Sequence, residues 1–162
     1  MLDVLVVPHD HLRGKALAVA DLSDELVSLA REMIATMHES DGIGLASLQV
    51  GRSERLFVVH VRDDEPRVFF NPEITSRSVE EEDYEEGCLS IPGVYANVRR
   101  PLAIRVSAIG LDGEPFELDA DGLLARVIQH EYDHLDGVLF WDHLSERKRG
   151  RLQRLYEKGN AS

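Results

Sequence analysis

The sequence predicts an α+β fold in which mostly antiparallel strands and hairpins surround a central helix, with one further helix near each end. Three segments, residues 21–38, 120–135 and 145–157, have the apolar spacing of amphipathic helices. The runs between them are short, alternating or β-branched, and separated by turn residues, which favours hairpins. A length of 162 residues without repeats or linkers predicts a single catalytic domain, 1–162.

The first helix, over residues 21–38, is predicted by one apolar stripe. Ser23 is a suitable N-cap because its hydroxyl can accept a bond from a free N–H of the first turn. The methionines of the stripe are interpreted as core residues. The stripe consists of Leu22, Leu26, Leu29, Met33 and Met37.

Strands are predicted over residues 56–61, 67–71 and 102–109. The second is expected to end at Pro72, which has no N–H for a sheet. After the third, the turn Asp112-Gly113 predicts a hairpin whose second strand includes residues 116–118. Residues 1–7 lack the basic start of a signal peptide and are followed by Pro8. They are therefore interpreted as a short strand and not as a signal peptide.

The second helix carries Leu123, Val127, His130 and His134 at spacings of four, three and four, so these residues share one face. The third helix, basic over residues 146–158, is expected to turn its apolar side inward. That inner side is predicted to comprise Leu144, Leu152 and Leu155.

The formal charge of −12 disfavours nucleic-acid binding by the whole surface, and no specific DNA partner is expected. The charge is uneven, since residues 145–162 carry +4 and the remainder −16. The acidic run 80–83 is interpreted as a solvated face. No apolar run approaches the about 20 residues that cross a membrane, so a cytoplasmic protein without a membrane partner is expected.

Residues 130–134 form an HExxH motif on the central helix. Its spacing places the imidazoles of His130 and His134 on one face, where both can bind one metal ion. Glu131 lies beside the first ligand and can act as general base towards a metal-bound water.

A catalytic metal site normally has three protein ligands and one open position. Downstream, His143 follows His134 by nine residues. The longer metalloprotease pattern fails, because Gly137 fits it but Phe140 stands where its third histidine would be. The lone cysteine, Cys88, is the remaining soft donor, and a thiolate favours iron or zinc over magnesium or calcium.

Three motifs occur in order along the chain. Residues 42–49 read GIGLASLQ, residues 86–90 read EGCLS, and residues 129–134 read QHEYDH. They resemble the GxGLAAxQ, EGCLS and QHExDH motifs of the peptide deformylases, and the flanking segments extend this resemblance over nearly the whole chain. The resemblance implies hydrolysis of the N-formyl group from N-formylmethionyl peptides of nascent proteins, with release of formate.

The resemblance also implies site roles. The metal ligands would be Cys88, His130 and His134. A metal-bound hydroxide would attack the formyl carbon, with Glu131 as general acid/base. Gln49 and the backbone N–H of Leu89 would stabilise the oxyanion. One divalent ion per chain is expected; the resemblance favours iron(II), and zinc or nickel also suit these ligands.

The substrate methionine needs an apolar pocket, for which the candidates are Ile43, Leu89, Leu123 and Val127. Gly44, with Gly42, is interpreted either as a turn former or as a place where an extended peptide approaches the backbone.

Three positions depart from the family pattern. Ser47 replaces a small alanine, so little effect is expected. Tyr95 stands where many members have arginine, which leaves preference beyond methionine open. Arg126 replaces a common apolar residue four positions before His130; its stem is expected to line the pocket while its head reaches water.

Other groups are expected to support the ligands. Glu86 is predicted to pair with Arg100 and so hold the loop of Cys88 rigid. Asp133 and Asp136 are both candidates for orienting the ligand histidines, and the sequence does not choose between them.

Two other classes of function remain open at this stage. One is a small HExxH metalloprotease, which the surroundings of Cys88 disfavour. The other is a non-catalytic metal-binding or ribosome-binding protein, which the presence of Glu131 and Gln49 disfavours. For the basic C-terminal helix, the family resemblance suggests docking on the ribosome, whereas an ordinary amphipathic helix packed on the core is the simpler interpretation.

Overall fold

The computed structural model describes residues 2–159. Met1 of the predicted first strand and residues 160–162 of the predicted domain lie outside that part. Apart from short 3-10 turns, three α-helices and seven strands follow one another within residues 2–159. They are α1 (Asp24–Glu39), β1 (Gly44–Ala46), β2 (Leu56–Val59), β3 (Arg67–Arg77), β4 (Glu81–Cys88), β5 (Ile91–Pro101), β6 (Ala103–Ile109), β7 (Pro115–Asp121), α2 (Gly122–His134) and α3 (Glu146–Gly159).

All strand pairs within the two sheets are antiparallel, and the predicted α+β class is confirmed. One sheet has the order β1-β2-β3-β6-β7, and β4 with β5 forms a separate hairpin. The predicted hairpin around Asp112-Gly113 is the pair β6–β7, in which Ala108 lies opposite Phe116. In α1, the Ser23 hydroxyl accepts a bond from the Leu26 N–H at 3.2 Å, so the predicted N-cap is also confirmed.

The five-stranded sheet lies between α1 and α2. Because side chains alternate along a strand, Phe57 and Val59 of β2 enter the core under α2. Leu56 and Val58 of the same strand enter the core under α1. The sheet is thus apolar on both faces, and one of these faces supports α2, which carries the HExxH motif.

The hairpin β4–β5 was not predicted, since β4 is acidic and exposes residues 81–85. It is anchored instead by β5, whose Ile91, Val94 and Val98 are buried in a third core with Trp141 and Tyr156. This hairpin brings Cys88, at the end of β4, to the side of the sheet where α2 lies.

Three predicted strand limits were wrong. The strand predicted over residues 56–61 ends at Val59, and the one predicted over 102–109 begins at Ala103. The third difference is larger. β3 does not end at Pro72 but continues to Arg77, because the pairing with β6 shifts register between Phe70 and Glu73 and needs no N–H from the proline. Asn71 adopts φ +49° there, and its amide bonds to both backbone groups of Val19 at 2.8 Å.

The N-terminal segment and the inner face of α3 also differ from expectation. Residues 2–6 are not a strand, although the Leu5 N–H donates to the Gln49 carbonyl at 2.7 Å. Leu155 is 51% exposed, and Tyr156 takes the inner position instead, with its hydroxyl donating to the Val7 carbonyl at 2.9 Å. The α3 helix is therefore fixed to the N-terminal segment by a buried tyrosine.

Candidate metal centre

The structure brings together the three residues implied as metal ligands. The sulfur of Cys88 and one nitrogen each of His130 and His134 lie within 4.8 Å of one another. The Cys88 Sγ is 3.3 Å from Nε2 of His134. A thiolate and two imidazoles at these distances form a donor set that suits iron or zinc, so these residues fit a bound transition metal.

The orientation of His130 is set by Glu86. Nδ1 of His130 lies 2.8 Å from the Glu86 carboxylate, which leaves Nε2 of the ring for a metal. The predicted pair is also present, because Arg100 donates to both oxygens of Glu86 at 2.6 and 3.0 Å.

The two acidic candidates for this supporting role are engaged elsewhere. Asp133 accepts from Arg100 and lies 2.7 Å from the His143 ring. Asp136 pairs with Arg55 on the far side of the helix end. Glu86, rather than Asp133 or Asp136, is thus the carboxylate that bonds to one of the two motif histidines.

The charges around the site follow from burial and pairing. Burial disfavours a charged Glu86, yet hydrogen bonds from His130 and Arg100 outweigh it and hold the pKa of that carboxyl well below its usual range. Burial likewise opposes the charge on His130, but Glu131, Cys88 and Glu86 together raise its pKa. For His134, burial and then the neighbouring charge of His130 lower the pKa, which favours the neutral ring that a metal needs.

Glu131 is the least satisfied carboxylate of the site. It is buried, and its Oε1 has no hydrogen-bond partner among residues 2–159. Burial raises the pKa of this carboxyl to about 7. A carboxylate in this state can take up and release a proton near neutral pH, as a general acid/base must.

The amide of Gln49 has its orientation fixed by its surroundings. Its Oε1 accepts from the Ala46 N–H at 2.9 Å, so the amide nitrogen points the opposite way. That nitrogen lies 3.0 Å from the Ser90 hydroxyl and 3.6 Å from the Cys88 sulfur. Sequence reasoning gave Ser90 no role, although it belongs to the EGCLS motif; it helps to hold this donor.

A cavity of about 530 Å³ opens beside these groups. Every predicted site residue lines it except His134, which is fully buried next to Cys88. Ile43 and Leu123 are 43% and 41% exposed, so the cavity offers uncovered apolar surface. The lining residues named from the sequence are Ile43, Gly44, Gln49, Cys88, Leu89, Leu123, Val127, His130 and Glu131.

The glycines near the cavity are required by neighbouring side chains. A Cβ on Gly44 would lie 2.5 Å from Oε2 of Glu131, and one on Gly42 would lie 2.7 Å from the Leu89 side chain. A Cβ on Gly87 would lie 2.5 Å from the ring of Tyr95, which sits at the cavity rim. Close side-chain approach therefore explains Gly42 and Gly44 better than turn formation.

One expectation for Arg126 was wrong. Its guanidinium does not reach water but donates to Glu86 at 2.6 Å and to the Val98 and Glu82 carbonyls at 2.8 and 2.7 Å. The buried Glu86 carboxylate thus binds a second arginine besides Arg100. The sequence does not indicate this pair, because Arg126 and Glu86 are 40 residues apart.

A helix that presents two histidines and a glutamate to a cysteine on an adjoining hairpin is the arrangement of a metal-dependent hydrolase. The polypeptide deformylase family model matches residues 1–150. The chain therefore belongs to the peptide deformylase family, whose members are metalloenzymes acting on formylated nascent peptides.

Individual relatives agree with this assignment. The peptide deformylase of Chromohalobacter salexigens is 49% identical over 97% of this chain and 94% of its own length. The crystal structure of a peptide deformylase from Legionella pneumophila has a TM-score of 0.93 at 40% identity, over 99% of this chain and 96% of that one. That from Synechococcus elongatus, in complex with actinonin, has a TM-score of 0.91 at 43% identity, over 98% and 87%.

Membrane insertion through a helix finds no support in the described part of the chain. None of the helices within residues 2–159 is both long and apolar enough to cross a bilayer.

Proposed function

We propose that this enzyme hydrolyses the N-formyl group of N-formylmethionyl peptides and releases formate. The observation that carries the proposal is the convergence of Cys88, His130 and His134 close to Glu131, beside a cavity that also exposes apolar side chains. A formylated peptide could enter this cavity with its methionine side chain against apolar residues and its formyl group towards the metal ligands.

Cys88, His130 and His134 would hold one divalent ion, and we propose iron(II), with zinc or nickel as substitutes. When bound, such an ion supplies an acidified water and polarises the formyl carbonyl. The protein's own contribution is to fix these three donors from two elements and to leave the cavity side open to substrate.

Glu131 would move the proton. Its carboxylate is placed next to His130 and has an unpartnered oxygen within the described residues. It would accept a proton from the attacking water and donate it to the amine nitrogen as the C–N bond breaks. A carboxyl pKa of about 7 suits both transfers at neutral pH.

Gln49 and the backbone N–H of Leu89 would bind the formyl oxygen as negative charge develops on it. Support comes from the fixed amide orientation of Gln49, whose nitrogen is 3.6 Å from the Cys88 sulfur. A donor that is oriented before the reaction stabilises the transition state without reorganisation.

The methionine side chain would pack against Ile43, Leu89, Leu123 and Val127. Gly44 would let the peptide backbone run close to β1, one of the two edge strands of the sheet, in the manner of an added strand. Tyr95 at the rim would contact the residues that follow methionine.

The test is formate release from formyl-Met-Ala-Ser by protein purified without oxygen, because a thiolate–iron site is sensitive to oxidation. We expect release by the wild-type protein and none by Glu131→Ala at unchanged metal content. Actinonin, which is bound by the Synechococcus elongatus relative, should block the release. Cleavage of unformylated peptides without formate release would refute the proposal and support the protease alternative.

The expected setting of this reaction is the cytoplasm, at the ribosome. Helix α3 exposes five basic side chains, which could bind ribosomal phosphates near the emerging peptide. They are Arg147, Lys148, Arg151, Arg154 and Lys158.

A further inference from the structure

Arg126 is a buried arginine that connects the central helix to the hairpin. It lies on α2, one turn before His130, and is only 8% exposed. Its three hydrogen bonds, to the Glu86 carboxylate and to the Val98 and Glu82 carbonyls, all end on β4 or β5. Its guanidinium also lies 5.5 Å from the centre of the Tyr84 ring.

The partners of Arg126 matter because they determine where Cys88 lies. Cys88 follows Glu86 by two residues, and the pairing of β4 with β5 shifts register between them. The two histidines lie on α2, whose apolar residues enter the core of the five-stranded sheet rather than the hairpin core. The donor set is therefore divided between two elements that are joined largely by polar bonds.

Glu86 stands at the centre of this junction. Its carboxylate receives Arg100 and Arg126 and also contacts His130 at 2.8 Å. Arg100 belongs to the hairpin itself, whereas Arg126 reaches Glu86 from the helix. Both arginines join the helix to the hairpin, since Arg100 also donates to Asp133 of α2 at 2.9 Å. Arg126 is the one that lies on the helix, and it binds three separate groups of the hairpin.

We propose that Arg126 is a positioning residue that sets the distance of Cys88 from His130 and His134. Its recorded hydrogen bonds go to Glu86 and to the strand carbonyls, not to the three donors, so it acts through those groups. The inference deepens the proposed function, since it assumes that these donors hold the metal. Removing the guanidinium of Arg126 should weaken metal binding and change the geometry of the Cys88 thiolate at the metal.

The experiment uses cobalt(II)-substituted protein and the variant Arg126→Met, which keeps an apolar stem without hydrogen bonds. Arg99→Met is the matched control, because Arg99 lies on the same hairpin and pairs with Glu81 and Asp83, but its side chain is 61% exposed. Two quantities are measured: the rate of cobalt loss to a chelator and the thiolate–cobalt absorption band.

We expect Arg126→Met to lose cobalt about tenfold faster or more, as for other groups that orient metal ligands, with a shifted absorption band. Arg99→Met should match the wild type in both quantities. If Arg126→Met lowers only the unfolding midpoint and leaves cobalt loss and the band unchanged, Arg126 is merely structural and the proposal is overturned.

If Arg126→Met does not fold, the same two measurements on Arg126→Lys test the proposal, because one ammonium cannot reproduce the three bonds of a guanidinium. Intermediate cobalt loss supports the proposal, and wild-type behaviour in both readouts overturns it. Neither readout uses a formylated peptide. Absence of formate release from wild-type protein with normal cobalt retention would therefore reject the proposed function separately.

Discussion

Gly44 and Glu131 occupy adjoining space, since a Cβ on the glycine would lie 2.5 Å from Oε2 of the carboxylate. Gly44 is paired to Val59 in the sheet, so its backbone has little freedom to move. A side chain at this position must therefore displace Glu131 and not the strand.

Gly44→Ala should lower formate release by about 10²-fold, because a displacement of about 1 Å at a reacting group has that effect. Metal content should stay at the wild-type level, since the added methyl group would meet Glu131 first and not the three donors. Steady-state kinetics and metal analysis measure both quantities. Gly150→Ala on α3 is the control and should leave the rate unchanged; an unaltered rate in Gly44→Ala would contradict the reasoning.

Glu86→Gln should destabilise the protein by about 3 kcal/mol, because it leaves two buried arginines without their shared charge. Metal affinity should fall about tenfold or more as His130 loses its fixed orientation. Urea unfolding and competition with a chelator measure these effects. The neighbouring exposed residue provides the control Glu85→Gln, and equal behaviour of the two variants would disprove the role of Glu86.

The stability difference between the wild type and Glu86→Gln should also depend on pH. The pKa of Glu86 is lowered in the folded state, so its stabilisation is complete above the ordinary value of 4.5 and is lost as pH falls towards the folded pKa. The stability difference between wild type and Glu86→Gln should therefore shrink below about pH 4.5. A difference that is constant down to pH 3 would contradict this assignment.

Glu131→Gln should stabilise the chelator-treated protein at alkaline pH. The folded carboxyl titrates at about 7 and the unfolded one at 4.5, so the stability of the wild type falls as pH rises between these values. The variant avoids this loss and should gain about 3 kcal/mol at pH 8 and nothing at pH 4.5. Thermal unfolding against pH measures the gain, which the control Glu146→Gln should lack.

Gln49→Leu should lower kcat by about 10²–10³-fold, equivalent to about 3 kcal/mol of barrier, through loss of an oxyanion donor. KM and metal content should change little. Ser90→Ala, which removes only one partner of the Gln49 amide, should have a smaller effect on kcat. A variant in which KM rises while kcat is retained would show that Gln49 binds substrate and does not stabilise the oxyanion.

Ribosome docking should depend on the exposed charges of α3. Truncation of the helix is unsuitable, because Tyr156 is buried and bonded to Val7. The triple variant Arg147→Glu, Arg151→Glu, Arg154→Glu should reduce pelleting with ribosomes at low salt and spare activity on a short peptide. The control carries equal charge reversal at the exposed positions Arg31, Arg62 and Arg77; equal pelleting of both would reject docking through α3.

The sequence was most informative where chemistry and periodicity coincide. The HExxH spacing predicted both α2 and the convergence of His130 with His134, because a helix fixes the separation of residues four positions apart. Cys88 was already the remaining soft donor, and the three-motif resemblance implied it as a ligand, although no local rule could bring it to the helix.

Long-range polar pairing escaped prediction. The hairpin β4–β5 is acidic on one strand, and its anchoring depends on Trp141 and Tyr156 far along the chain. The head of Arg126 was expected to reach water, because its partner carbonyls on Glu82 and Val98 are determined by the fold and not by residue type. In both cases the decisive contact joins backbone or side chains that no sequence pattern links.

The supports of the donor set are hydrogen bonds within the protein. Glu86 orients His130, and Gln49 and Ser90 flank Cys88, so the site keeps its shape through protein contacts. Ions of similar preference can then replace one another without refolding of the chain. We therefore expect iron(II), zinc(II) and nickel(II) each to bind the metal-free protein without a change in its fold.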